Sequence, residues 1–306
     1  MWIIVAIAAY FLLAFVAVID KYLLAGPLPS PKLYAFVIGI FGGLAFLLIP
    51  FGFFVVPPWP IIVFAMMAGI IQIFALVALF SGLKNIEASR IVPAIGGLLP
   101  VFTLLFTISL GRAQLHGIDM LAFVLLVGGS VVITLEKGKL LSFAGFLYAF
   151  VASLLFSIFV VLSKFVYEGV ESFLSAFLLI IAGTFGGALL LLVSGELRGA
   201  LWNMMQRRGV EKQMLSVRVL SLFAGNQILA TVGFVLQNWA VALVPFAYIA
   251  FVNALEGVKY VFVLLLASAI ALKFPHVLKE EIGKAAIIQK FFAIAFIGIG
   301  LFLLAL

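Results

Sequence analysis

The feature that most constrains this chain is a repeating alternation: runs of about twenty apolar residues, each ended by a short cluster of proline or charge. Residues 33–55 hold no charged side chain and lie between Pro27, Pro29 and Pro31 on one side and Pro57, Pro58 and Pro60 on the other. Proline forfeits a backbone hydrogen bond, and a lipid-exposed span cannot leave such groups unpaired, so these clusters mark loops. A water-soluble core has no use for so many such runs. The chain is 67% hydrophobic and 9% charged, where soluble domains run near ~45–50% and ~25%. The excess has to face lipid, and at ~20 residues per span the 306 residues accommodate about ten helices joined by short loops.

The reading is therefore an all-α integral membrane protein. The expected spans are residues 2–22, 33–55, 61–83, 89–110, 118–135, 142–165, 172–193, 216–242, 246–272 and 285–306. The first run has the apolar character of a signal peptide but no basic segment before it, and is read as an uncleaved helix. The longest connection, 194–215, carries Leu201, Trp202, Met204 and Met205 beside Arg198, Arg207, Arg208 and Lys212. That pattern fits a short helix in the membrane interface, or a solvated basic loop.

Several chemistries are disfavoured by what the chain contains. It has no cysteine, its two histidines (His116 and His276) fall in separate loops, and its two aspartates are Asp20 and Asp119. Zinc hydrolysis wants clustered ligands, and metal-assisted prenyl-diphosphate chemistry wants clustered carboxylates. No phosphate-cradling Gly-x-x-x-x-Gly-Lys-Ser/Thr motif occurs. No cofactor and no enzymatic activity are expected. The net charge of +7 comes from Lys and Arg spread over loops rather than a nucleic-acid patch: 15 of 18 lie in the odd-numbered connections. The positive-inside rule then places both termini outside.

Self-similarity organises the rest. Gly39-Ile-Phe-Gly42-Gly43 recurs as Gly183-Thr-Phe-Gly186-Gly187, and Asp20-Lys21-Tyr22 matches Ser163-Lys164-Phe165. Gln72-Ile-Phe-Ala75 matches Gln227-Ile-Leu-Ala230, and Gly128-Gly129 sits where Gly298 and Gly300 sit. The offset is 143–144 residues for the first two pairs and 155 for the third, the jump falling in the longest loop. Two five-helix halves, 1–138 and 139–306, follow. An odd number of spans per half inverts the second copy, the architecture of alternating-access carriers. The glycines are expected at close helix crossings.

With its five-plus-five repeat, Leu99-Pro100-Val101-Phe102 after Ala88-Ser89, and a closing Gly298-Ile-Gly300-Leu301, the chain resembles the drug/metabolite transporter superfamily in its EamA-like branch. The resemblance covers nearly the whole chain. It departs at Leu110-Gly111-Arg112, where such proteins usually carry an acid after the glycine; the second half keeps Glu280 and Glu281 in the equivalent loop. The resemblance implies export or uptake of a solute, and termini on the inside, against the charge count.

Ionisable groups inside a span cost ~2.5–3.5 kcal/mol on insertion scales, so those present call for a reason. Asn253, Glu256 and Tyr260 share a helical face, and Lys259 is spaced to pair with Glu256. They form either a substrate or proton-coupling site, or a neutralised pair that fixes packing. Gln72 and Gln227 occupy matched midspan positions, facing a cavity or bonding between helices. Asn226, Gln237 and Asn238 are further polar candidates. Ser153, Ser157 and Lys164 fall on one face, with Lys164 and Lys21 read as interfacial anchors. Pro93 and Pro100 are expected to kink the fourth span; the kink either shapes a cavity, serves as a gate, or is simply tolerated by packing.

The function expected is a secondary transporter (permease or exporter) in the plasma or inner membrane, multi-pass, handling a small metabolite or drug-like solute, with a coupling proton as a candidate partner. The alternative is a flippase or a membrane-embedded enzyme acting on lipid-linked substrates. The expected partners are the solute and the bilayer, with no nucleic acid, and the chain acts as a monomer or homodimer.

Overall fold

In a computed structural model, the structure describes residues 1–25, 30–51, 54–86, 88–113, 115–134, 142–206, 217–273 and 284–305. All regular structure among them is helical. The elements are α1 (Trp2–Ala25), α2 (Pro31–Gly42), α3 (Trp59–Asn85), α4 (Ala88–Ser109), α5 (Gly117–Thr134), α6 (Phe143–Gly169), α7 (Phe173–Leu191), α8 (Gly195–Gln206), α9 (Val217–Leu243), α10 (Ile249–Ala254), α11 (Glu256–Lys273) and α12 (Lys284–Ala305). Among the described residues, seven helical stretches are long and apolar enough to cross a bilayer; 94–109 in α4 and 117–132 in α5 are apolar but shorter. The surface carries large apolar side chains, including Phe291 at 70% and Phe302 at 65% exposed on α12 and Val124 at 58% on α5. The fully buried side chains are mostly small, such as Ala6, Ala65, Ala68 and Ala122. Packing small residues inward and leaving phenylalanine outward is stable only where the surrounding solvent is itself apolar. The protein is an all-α membrane protein.

Two expected spans are not single α-helices. The second begins as α2, with Pro31 in its first turn and the Ser30 hydroxyl accepting from the Leu33 amide. It then tightens into a 3-10 helix, Gly43–Phe51, that contains Pro50. Consecutive glycines weaken the α-form and the proline denies it a donor. The ninth opens with a 3-10 turn, Phe246–Tyr248, runs through α10, and is interrupted at Leu255 before α11 begins at Glu256. Leu255 has ψ of −7°, and the Val258 amide donates to the Leu255 carbonyl at 2.9 Å, a local i+3 bond. The fourth span stays α-helical through Pro93 and Pro100.

The long connection does form a helix, α8. Its Leu197 is fully buried, while Trp202 is 58% exposed. Lys32 at the start of α2 pins it, through Glu196 at 2.6 Å and the Ser194 hydroxyl at 3.1 Å. The hydrogen bond from Lys32 holds the Glu196 carboxyl below its ordinary pKa. Arg207, Arg208, Lys212, Glu280, Glu281 and the side chains of Asp20, Lys21 and Tyr22 lie outside the described residues.

Helices from the two ends of the chain interleave. α1 packs on α9 and α11, and α6 packs on α3 and α4; α2 meets α7, and α5 meets α12. Glycine sets the closest approaches. A Cβ at Gly183 would stand 2.5 Å from the Met66 carbonyl and 2.8 Å from that of Ala65, and one at Gly187 3.0 Å from the Ile70 Cα. Gly39 abuts Ala188 across the α2–α7 crossing. Where α5 meets α12, a Cβ at Gly129 would contact the Ala293 carbonyl (3.0 Å) and Ile297, and one at Gly300 would contact the Ala122 carbonyl (3.1 Å) and Leu126. Each residue of the first set lies 171 positions before its counterpart, and the two sets read Ala-x-x-x-Leu-x-x-Gly and Ala-x-x-x-Ile-x-x-Gly. Residue numbers fall along one helix as they rise along the other, so α5 and α12 run antiparallel. Gly128 and Gly298 have no neighbour at this distance, which fixes the register on Gly129 and Gly300.

Candidate functional site

Polar side chains converge where the ninth span is interrupted. Glu256 is the first residue of α11 and bonds Lys259 within its own first turn. Both side chains are 18% exposed. A carboxylate at a helix N-terminus is favoured by the unpaired amides there. Ten residues separate Glu256 from Phe246, at which the span opens. At ~1.5 Å per residue that is ~15 Å, half of a ~30 Å hydrocarbon core.

Two tyrosines close around it. The Tyr260 hydroxyl is directed at the Glu256 carboxylate, and Tyr10 of α1 lies near both. Tyr260 also covers Gly96 of α4, where a Cβ would stand 3.1 Å from its hydroxyl. Pro100 has no amide to donate to the Gly96 carbonyl, so the proline exposes a backbone acceptor at the point where Tyr260 packs. Tyr10 donates to the Val252 carbonyl at 2.7 Å and receives the Gln237 amide at 3.3 Å. On the α4 side, Asn253 donates to the Thr103 hydroxyl at 2.9 Å, and Ser157 of α6 donates to the Leu99 carbonyl at 2.9 Å.

Beyond Gln237 a small cleft of about 20 Å³, room for about one water, opens between α6 and α9, with Phe159, Ser163, Phe234, Gln237 and Asn238 among its walls. Asn238 accepts from the Tyr167 hydroxyl at 2.9 Å. Ser163 is 1% exposed, and among the described residues its hydroxyl has no hydrogen-bond partner. Below the cleft, Lys164 is 3% exposed and donates to the Ala242 and Val244 carbonyls at 3.0 and 2.6 Å, with Glu168 at 3.6 Å. It caps the end of α9 from inside the protein. The expected snorkelling to the interface gives way to a buried cap, because the two terminal carbonyls supply the polar partners that water would.

The expected site residues thus divide. Asn253, Glu256, Lys259 and Tyr260 are brought together around the interruption. Gln237, a lesser expectation, links them to the cleft through Tyr10. Gln72 lies apart: it is buried at the α3–α7 crossing and accepts from Thr184 at 2.9 Å. Gln227 is half-buried on α9, and no hydrogen bond joins it to Gln72 among the described residues; Asn226 beside it is buried. Pro100 borders the site, and Pro93 falls within α4 with its side chain outside the described residues. Sequence reasoning missed Tyr10 and Thr103. Tyr10 is the only side chain with a hydrogen-bonding group between Met1 and Ile19 besides Trp2, a signal that was available. Arg112, standing where the resembled family has an acid, follows Gly111 at φ +67°. Its guanidinium lies 5.3 Å from the Phe246 ring centre and 6.0 Å from that of Phe165. It bridges the α4–α5 turn to the end of α6 and the start of the ninth span by cation–π contact.

No family model and no curated protein matches the chain. Solved structures do: one protein crystal structure superposes with a TM-score of 0.64 at 16% identity. The match covers 97% of this chain and 94% of that one. At that identity the likeness shows a shared fold over nearly the whole length of both chains.

Proposed function

We propose that the chain is a secondary transporter, ten transmembrane helices in two inverted halves (1–138 and 139–306), that moves a small metabolite or drug-like solute by alternating access, as an EamA-like member of the drug/metabolite transporter superfamily. The observation that carries this reading is the Glu256–Lys259 pair beside an interrupted helix, about ten residues into an apolar span. A packing pair needs no such place, whereas carriers build solute sites at broken helices near the midplane. The exchange of contacts supports the inverted halves: α1 with α9 and α11 mirrors α6 with α3 and α4, and the matched α5–α12 set crosses itself antiparallel. Those two cross-woven bundles are the bodies that rock. Glu256 and Lys259 then bind the charged part of the solute or exchange a coupling proton.

The absence of cysteine makes the test direct. Gln237→Cys, at the seam between the bundles, should react with an impermeant maleimide from each side of sealed proteoliposomes in turn. Labelling confined to one side under all conditions refutes alternating access.

A further inference from the structure

The end of α3, the start of α2 and the short helix α8 form a cationic corner that the network around Glu256 does not touch. α8 is seated from one side only: Leu197 is fully buried, and Leu201 is half-buried in the cluster of Leu33, Tyr34 and Phe80. Its other side is bare. A Cβ at Gly195 or Gly199 would meet nothing within 4 Å. Arg198 is exposed, and Trp202, one turn later, is 58% exposed. Positions 195, 199 and 202 recur at i, i+4 and i+7, and 198 and 202 at i and i+4, so the open glycines, the cation and the indole share one face.

Three cations stand here against one anion. Lys32 lies in the first turn of α2 and Lys84 in the last turn of α3. Lys32 is spent on Glu196 at 2.6 Å. Lys84 adds to the field that holds the Glu196 carboxyl below its ordinary pKa. Lys84 and Arg198 are both exposed and enter no ion pair among the described residues. Two positive charges are thus left over at this corner. The chain leading into α8 points to what covers them. Leu189 and Leu190 in the last turn of α7, and Val193 after it, are 44%, 51% and 78% exposed, and in a membrane protein such side chains meet acyl chains. A phospholipid lying along the end of α7 brings its head to the first turns of α8. A tryptophan beside a cation suits that depth, where the ring is half in the apolar layer and the charge is in the headgroups. A choline head would add a third positive charge to the two left over, whereas a head whose only charge is its phosphate satisfies them.

We propose that α8, with Lys84, is a binding surface for an anionic phospholipid, its acyl chains on Leu189, Leu190 and Val193 and its phosphate held by Arg198 and Lys84. The inference goes beyond transport and stands without it.

The full chain in maltoside micelles is titrated with phosphatidylglycerol and with phosphatidylcholine of the same acyl chains, and bound lipid is counted by native mass spectrometry. Phosphatidylglycerol should bind about tenfold tighter or more, on the order of what two basic residues supply at an anionic surface. Lys84→Gln and Arg198→Gln should each cut that preference about threefold, and the double variant should reduce it to about twofold or less. Both side chains are exposed and unpaired, so these proteins should fold and melt like the parent without lipid. Arg112→Gln removes a cation at the far end of α4 and should leave the preference unchanged. Glycerol phosphate, the head without its chains, should not displace the lipid. Equal binding of the two lipids overturns the proposal. So does a preference that persists in the double variant or falls as far in Arg112→Gln. Displacement by glycerol phosphate also overturns it, and would make the corner a site for free phosphate.

Discussion

Removing one member of the Glu256–Lys259 pair should cost far more than removing both. Each side chain is 18% exposed, in a span whose neighbours Ala254, Leu255 and Val258 are buried. Glu256→Gln leaves the ammonium inside the span with no anion. Lys259→Met leaves the carboxylate facing two phenols. Breaking a buried pair in this way costs ~3–5 kcal/mol, consistent with the ~2.5–3.5 kcal/mol for an isolated charge at the centre of a span. The double variant Glu256→Gln/Lys259→Met leaves no charge and nearly the same volume, and should fall within ~1 kcal/mol of the parent because the desolvation of both ions is removed together. The coupling energy of the cycle is then about 4 kcal/mol or more. The assay is reversible unfolding from mixed micelles, run on the four proteins at one pH. Single variants that each cost under 1 kcal/mol, with additive effects in the double, would show that the two groups are hydrated and independent, and the site would lose its physical basis.

Gly183→Ala should destabilise by ~1–3 kcal/mol because its Cβ meets two backbone carbonyls of α3, whereas Gly186→Ala, with 3.7 Å of clearance from Met66, should be close to neutral; melting temperatures in detergent decide this. Lys164→Met should expose two uncapped carbonyls at the end of α9 and cost ~2 kcal/mol or more, read by the same melts. Gln206→Cys at the end of α8 should resist an impermeant maleimide in intact cells if the charge count sets the orientation; labelling would place that face outside. Acidification should leave α8 pinned down to pH 4.5, the ordinary glutamate value. The lowered Glu196 pKa keeps the Lys32 contact fully formed above that pH and loses it only as pH falls through the lower folded value. Pepsin cleavage of α8 that rises already above pH 4.5 would contradict this.

The membrane character and the placement of most helices were legible because length and apolarity are properties of single segments. The glycines were legible as crossing points for the same reason: a residue without a side chain has few other uses at Gly183 or Gly300 in a span. Partner choice was not legible. Gln72 and Gln227 look alike in sequence, yet Gln72 is engaged by Thr184 across a crossing that depends on the relative rotation of α3 and α7. The interruption at Leu255 has no proline to announce it. It lies between Asn253, which bonds Thr103 of α4, and Gly257, which packs on Ser130 of α5, contacts that the segment alone does not announce. The register of α5 on α12 was not legible, because Gly128 and Gly129 are equivalent until a second helix selects one.

That register has a consequence for how such a chain can arise and be altered. A face reading Ala-x-x-x-Leu-x-x-Gly that mates with an upside-down version of itself needs nothing a single half lacks. If the proposed inverted halves hold, a first half made alone carries a surface suited to a second copy of itself in the opposite orientation, and the chain is, at this crossing, a tethered homodimer. A bulkier residue at position 129 is eased by trimming Ile297, and one at 300 by trimming Leu126, whereas the Ala293 and Ala122 carbonyls are backbone and stay in place. Compensation for a change on α5 is to be sought at the facing positions of α12.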